Sequence, residues 1–354
     1  MTLSFNTFLD GVRWDIVGGI YGPLRCFWCA VKLPNGELEW VVEETLPPLR
    51  LDHYLKYRLS RFSRTELQNF VDSGGVHRLE HNGQRLLLKN ASRVHPGDVL
   101  RLRAPTPPPL DPNSEPRARL EVIYEDEVLM VVDKPAGMLV HPAGLRADNT
   151  VIGILRDRYR DVMLDLAHRL DRETSGLLLL TRTLAATRRV KEDFKHRRVK
   201  KRYQCVVKGN PDWTEHLVDL PMTDGEGEIR IRQSVRADGY PSRTLFRKIR
   251  SIGTQHALLE AHPETGRLHQ IRVHLEACGF PLVGDKIYGT DGQDFLSFRE
   301  TGLTPELTER FGHWRHALHA SHLTFSHPQT GSVMEFHAPL AGDLLELLKT
   351  LEQR

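Results

Sequence analysis

No stretch of this chain approaches the roughly 20 apolar residues that a membrane helix needs. Yet hydrophobic residues fill 40% of its 354 positions, enough for a sizeable core and about two domains. Only four cysteines occur, Cys26, Cys29, Cys205 and Cys278, too few for a disulfide scaffold. The first two form "CFWC", but nothing nearby completes a zinc site, so reduced thiols are the expected state. No GxxxxGK followed by Ser or Thr is present, which excludes a P-loop, and no GxGxxG follows a strand pattern, which excludes a Rossmann cofactor site. HExxH and GxSxG are missing as well, so a zinc-protease helix and a serine-hydrolase elbow have no support. Eighteen histidines do not make a metal centre, because His269 and His274 are five apart where ligands on one helix face need a spacing of four. The N-terminus, "MTLSFNTFLDGVRWDIVGG", lacks a basic segment leading into an apolar one. No export signal is expected, and the cytoplasm is the expected location. Neither a metal nor a cofactor is expected.

Net charge is scarce too, at +3, but it is unevenly spread. Residues 50 to 103 hold eleven Lys and Arg against five acids, and "RRVKEDFKHRRVKKR", from Arg188 to Arg202, holds nine against two. A single basic run is commonly a solvated face. Two separate runs in a near-neutral chain point to a polyanionic partner, and nucleic acid is the commonest.

The chain divides by character. Residues 1–48 carry "CFWCAVKL" and "LEWVVEETL" around the turn-former "PNGE", which predicts a β-hairpin, and no function follows from them. Residues 49–104 predict two helices. The first has apolar positions at Leu51, Tyr54, Leu55 and Leu59; the second is capped by Ser63 with Glu66, runs through Leu67, Phe70 and Val71, and stops at Gly74 and Gly75. Residues 105–118 belong to "APTPPPLDPNSEPRA", whose six prolines predict an extended linker. Residues 119–354 mix strands and helices without a βαβ rhythm. "RLEVIYEDEVLMVVDK" predicts two strands around an acidic turn, "LLLLTRT" a buried strand, "LAATRRVKEDFKHRR" a basic helix and "KRYQCVVKG" a strand. "TGRLHQIRVHLEACG" predicts a helix with Leu268, Ile271, Leu275 and Cys278 on one face. The expected fold class is α+β: a mixed, largely antiparallel sheet preceded by a small α+β domain.

One aspartate sits in an unusual setting. In "HRLDRETSGLLLLTR", Asp171 lies between Arg169 and Arg172, just ahead of an apolar strand. Burial would raise its pKa, while a neighbouring arginine would lower it and keep it ionised. Ionised and poorly solvated is the state a nucleophilic carboxylate needs. Taken alone, the pattern also suits a structural aspartate in a loop.

Two resemblances sharpen this. Residues 49–104 resemble the S4-like RNA-binding domain through "RLDHYL", "SRTELQNFV", "GGV" and "HPGDVL". One departure, "HRLEHNGQRLLL" in place of a short "VNG" segment, leaves the form of the RNA-facing loop open. The resemblance implies that Lys56, Arg58, Arg61 and Arg64 grip structured RNA. From about 119 to 340 the chain resembles the RluA family of pseudouridine synthases. The matching pieces are "DKPAGMLVHP", "HRLDRETSGLLLLTR", "KRYQCVVKG", "TGRLHQIRVHL" with "PLVGDKIYG", and "HALHASHLTFSHPQTG", all in the family's order.

The second resemblance implies roles by position. Asp171 is the catalytic aspartate, Arg169 helps to displace the target nucleotide, Tyr203 packs on the flipped uracil, and Arg267 ion-pairs with Asp171. It implies a cofactor-free isomerisation of uridine in structured RNA, with large-subunit (23S) ribosomal RNA the preferred substrate and tRNA the alternative. A monomer without nucleotide cofactor or membrane contact is expected. Two readings compete from other classes: a non-catalytic RNA-binding assembly factor, and a glycoside hydrolase, which lacks a visible second carboxylate.

Overall fold

The computed structural model describes residues 31–33, 37–42, 48–59, 62, 64–80, 82–103, 120–141, 150–159, 162–224, 229, 231–290 and 292–353. Cys26, Cys29, Arg61, the Ser63 cap and the proline-rich segment lie outside them. The chain forms two compact units, 1–54 with 65–106, and 55–64 with 107–354.

In the first unit, β1 (Val31–Lys32), β2 (Leu38–Val41), β4 (Val76–Leu79), β5 (Arg85–Leu87) and β7 (Val99–Leu102) make an antiparallel sheet in the order β1-β2-β7-β4-β5. A two-stranded ribbon pairs β3 (Leu49–Arg50) with β6 (Arg93–Val94). Helix α1 spans Leu51–Arg58, with residues 55–58 counted in the second unit, and α2 spans Arg64–Asp72, from residue 65 on in the first, and buries Leu67 and Val71. No boundary falls between residues 48 and 49, which corrects the expected division there. Trp40 of β2 lies opposite Leu100 of β7, so the hairpin belongs to the sheet of the segment that follows it. Alternating apolar residues on a two-stranded hairpin have no core of their own and are buried by joining a larger sheet.

The second unit is built on one sheet. Among the described residues it contains β8 (Glu121–Glu125), β9 (Leu129–Lys134), β10 (Asp165–Leu166), β11 (Ser175–Thr181), β12 (Lys200–Lys208), β13 (Glu215–Asp219), β16 (Arg243–Ile252), β17 (His256–Pro263), β18 (Leu318–Ser326) and β19 (Val333–His337). The order is β13-β16-β17-β12-β18-β11-β9-β8, with β10 edging β11 and β19 edging β18. Among these described strands only the β11–β18 pair is parallel, so the class is α+β with a mixed, largely antiparallel sheet, as the sequence indicated. A separate ribbon pairs β14 (Met222–Asp224) with β15 (Gln233–Val235).

Strand β11 explains the leucine run. Leu178 and Leu180 belong to one apolar cluster with Ile154 of α3 (Val151–Arg158) and Leu275 of α5 (Gln270–Ala277), while Leu177 and Leu179 belong to another with Val190 of α4 (Leu184–Lys195). A strand covered on both faces must be apolar at every position instead of alternately. Gly176 fixes its approach to β18. Its φ is +106°, and a Cβ there would lie 2.3 Å from the Ala320 carbonyl oxygen.

Candidate active site

The loop before β11 is tied down on every side. The Asp171 carbonyl accepts the Thr174 amide at 3.2 Å. Thr174 Oγ1 meets His316 Nε2 at 2.8 Å, and Ser175 Oγ meets His319 Nδ1 at 2.9 Å. Glu173 pairs with the buried Lys286 ammonium at 2.5 Å. Lys134 is fully buried and donates to the carbonyls of Pro135, Met138 and Arg172 at 2.9, 2.9 and 3.0 Å, one for each of its hydrogens. Burial and the Arg315 charge push its pKa down to about 7.

Asp171 is left with a side chain 23% exposed, facing a cavity of about 810 Å³. That volume lies within the range of pockets that enclose most of a small ligand, roughly 300–1,000 Å³. Arg272 Nη1 donates to Asp171 Oδ2 at 2.9 Å. The same guanidinium holds Asp285 with its other two groups, Nε to Oδ2 at 2.7 Å and Nη2 to Oδ1 at 2.9 Å. Asp285 in turn accepts the Ile287 and Tyr288 amides, and the Tyr288 ring lies 4.9 Å from the guanidinium carbon. Arg272 is therefore aimed by a planar fork that a lysine could not reproduce. Burial raises the Asp171 carboxyl, but Arg272 outweighs it, helped by His269 and His316, and the group ends below the usual carboxylate range. The carboxylate is ionised and largely dry.

His269 stands beside this pair, Nε2 3.8 Å from Asp171 Oδ2, with Nδ1 2.9 Å from the Tyr288 hydroxyl. Burial and the Arg272 charge push its pKa down to about 4, so at neutral pH the ring is uncharged. His269 has φ +57°, in the left-handed region that a helix cannot continue, so α5 starts at Gln270. That corrects the expected helix face: Leu268 lies before the helix and is 46% exposed.

Tyr203 lines the same cavity, at a register shift of β12 between Arg202 and Tyr203, opposite Ala261 on one side and Ala320 on the other. Such an irregularity re-aims a side chain, and two alanine neighbours leave the ring room. Burial and the Asp171 charge raise its hydroxyl above the ordinary tyrosine value, so it stays protonated. Arg169 is exposed and lines the cavity too. Lys201, from "KRY", donates to the Thr265 carbonyl at 3.2 Å, and burial pushes its pKa down to about 8. His168 is pushed down to about 3 by burial and the Lys201 charge, and its Nε2 accepts the Leu179 amide at 3.1 Å, a strut and not a catalyst.

Arg267 is the correction. It was expected to ion-pair with Asp171. It lines the cavity but is exposed, and its guanidinium carbon lies 4.9 Å from the ring centroid of Tyr240. The partner of Asp171 is Arg272, five residues on, carried inward by the first turn of α5.

A family model described as RNA pseudouridylate synthase matches residues 128–277. An RNA pseudouridine synthase of Chloroflexus aurantiacus without assigned function is 37% identical over 90% of this chain and 98% of its own length. A ribosomal large subunit pseudouridine synthase D of Zymomonas mobilis is 34% identical over 85% of this chain and 93% of its own. Among solved structures, human RNA pseudouridylate synthase domain containing 4 has a TM-score of 0.52 at 25% identity, covering 65% of this chain and 92% of that one. The chain belongs to the RluA-type RNA pseudouridine synthases.

A pseudouridine synthase is an isomerase that acts on RNA. In this synthase, Asp171, Tyr203 and Arg169 share one cavity, and Arg272, His269 and Lys134 brace it. The bracing residues were not singled out from sequence. Arg272 stands in "HQIRVHL", where one more arginine on an apolar helix gave no signal of its own; that it would be buried beside Asp285 was the missing fact. His274, in the same segment, bonds Thr244 Oγ1 and the Leu220 carbonyl at 2.9 and 3.0 Å, as a core histidine does. Of the candidate RNA-binding residues, Lys56 donates to the Phe62 carbonyl, Arg58 is half-buried and Arg64 is exposed. Among the described residues no helix is long and apolar enough to cross a membrane.

Proposed function

We propose that this synthase isomerises uridine in large-subunit ribosomal RNA, with Asp171 as the catalytic carboxylate. The observation that carries the reading is Asp171 itself, held ionised by Arg272 on the wall of a cavity that Tyr203 also lines. The RNA class rests on relatives named as large-subunit enzymes. The chemistry conserves every atom. The bond from uracil N1 to ribose C1′ breaks, the base turns, C5 bonds to C1′, and the C5 proton leaves while N1 gains one. An ionised, poorly solvated carboxylate suits attack on C1′, attack on the ring, or removal of a ribose proton, and each route returns the carboxylate.

The uridine must leave its stack first, at a cost of a few kcal/mol. Stacking on one aromatic returns about 1–3 kcal/mol, so Tyr203 offsets much of it. Arg169, exposed at the cavity, takes the place the base vacates. In this reading residues 49–104 form an S4-like grip on structured RNA through Lys56, Arg58, Arg61 and Arg64, followed by a proline-rich linker from 105 to 118. The reading takes the enzyme as a monomer. The cytoplasm, where ribosomal RNA is matured, is the setting it calls for.

Mapping pseudouridine in ribosomal and transfer RNA of cells with and without the gene tests the substrate. The expected result is loss of one or more large-subunit positions. Loss confined to transfer RNA would move the substrate class, and an unchanged map would overturn the reading.

A further inference from the structure

Tyr240 is a large aromatic side chain left 62% exposed, yet its backbone is held firmly. Its amide donates to the Met222 carbonyl at 2.7 Å, and its carbonyl accepts the Met222 amide at 3.0 Å. The preceding Gly239 has no room for a side chain, since a Cβ would lie 2.6 Å from the Met222 backbone. Arg267, whose guanidinium covers the ring at 4.9 Å, is anchored as well. Its amide donates to Gln270 Oε1 at 3.1 Å, and buried Gln270 donates to the Arg243 carbonyl and Thr244 Oγ1 at 2.9 and 3.0 Å. Among the described residues no carboxylate pairs with Arg267. Leu268, the next residue, is also exposed and lines the Asp171 cavity alongside it.

Arg267 and Leu268 thus present a guanidinium plane and an exposed leucine on the wall of the catalytic cavity, and the Tyr240 ring, its backbone pinned, lies against that guanidinium. Folding does not require this: a ring left mostly in water contributes little to the core. Nucleic-acid bases do use it, because each has a flat π-face for a ring or guanidinium and a phosphate for the charge. When a uridine is drawn out of its stack, the base beside it loses a stacking partner. We propose that Tyr240 and Arg267 form a stacking platform for an unpaired base adjoining the target uridine, which makes them determinants of substrate context. The proposal rests on the reading of the cavity as an RNA site. It does not depend on which RNA class is modified.

A short single-stranded RNA carrying 2-aminopurine beside a uridine tests it, because the fluorescence of that base is quenched by stacking. Binding to the wild-type protein and to Tyr240→Phe, which keeps the ring, should quench the probe. Tyr240→Ala should lose the quench, and affinity should fall about 5- to 150-fold, the range that stacking on one aromatic spans. Arg267→Gln should fall between. With the adjoining base replaced by an abasic residue, Tyr240→Ala should cost nothing further. An equal loss on intact and abasic RNA, or no loss on either, overturns the platform. Unaltered thermal unfolding of Tyr240→Ala excludes misfolding as the cause. Wild-type isomerisation of a large-subunit transcript is followed in parallel. Quenching without isomerisation refutes the RNA class alone, and isomerisation with Tyr240→Ala binding like wild type refutes the platform alone.

Discussion

At the scale of single residues, the Arg272 guanidinium serves two carboxylates at once, Asp171 facing the cavity and Asp285 behind it, fully buried. Asp171→Asn keeps the shape and removes the charge. Isomerisation should be abolished with RNA affinity near wild type, measured by tritium release from C5-labelled uridine; activity within about tenfold of wild type would refute the assignment. Arg272→Met strands both carboxylates. Breaking a buried pair costs about 3–5 kcal/mol, a fall in thermal midpoint on the order of 10 °C for a unit of this size. The pH dependence follows from the same geometry. Both carboxyls are held below their unfolded values, so the stability they contribute is present above about pH 4 and lost as pH falls through the folded values. In the wild type, the acid limb of the single-turnover rate should lie below about pH 4. In Arg272→Met burial loses its main opponent, and the limb in the residual rate should move upward. An unmoved limb would mean that some other charge holds Asp171 ionised.

At the scale of elements, the catalytic loop is placed by β11, and β11 is placed by its contact with β18. Gly176→Ala would put a Cβ against backbone atoms of Ala320 that cannot turn aside, at a φ of +106°. A loss of about 2–5 kcal/mol in denaturant unfolding is expected, against about 1–2 kcal/mol for Gly137→Ala, which has a φ of +84° but open space around it. Equal losses would show that backbone strain, and not the approach of β18, is what Gly176 relieves. Much of β11 was legible: "SGLLLLT" reads as a strand buried on both faces, and Asp171 stands out just ahead of it. Its neighbour was not, because Ser175 pairs with His319 far along the chain, and nothing local in either segment encodes a parallel pairing. The two arginines of "TGRLHQIR" show the limit most plainly. Composition and spacing treat them alike, whereas the left-handed turn at His269 leaves Arg267 outside and sends Arg272 into the core. Tyr240 gave no signal because exposure of an aromatic residue is a property of the folded surface.

At the scale of the molecule, a chain of net charge +3 carries two strongly basic segments. In the second, several charges are already answered: Lys191 meets Asp165 at 2.6 Å, and Arg198 meets Asp193 at 2.6 Å. Arg197 lines the Asp171 cavity, touching Glu264 only at 4.0 Å, and Lys200 is exposed at the start of β12. A cation that neutralises a phosphate releases a counterion, so each such contact adds about 0.7–0.9 to the slope of log affinity against log salt. Arg197→Gln with Lys200→Gln should lower that slope by about 1.5, and Arg58→Gln with Arg64→Gln by a similar amount if the S4-like segment also holds phosphate. Lys349→Gln, on the helix Gly342–Glu352 and paired with Glu346, should leave it unchanged. The loss should be uniform across RNA sequences, since phosphate contacts carry no base information. If only the Arg197 and Lys200 pair lowers the slope, Arg58 and Arg64 hold no phosphate and the S4-like grip is refuted. If neither pair does, the basic segments are solvated faces, and affinity comes from the cavity and its rim.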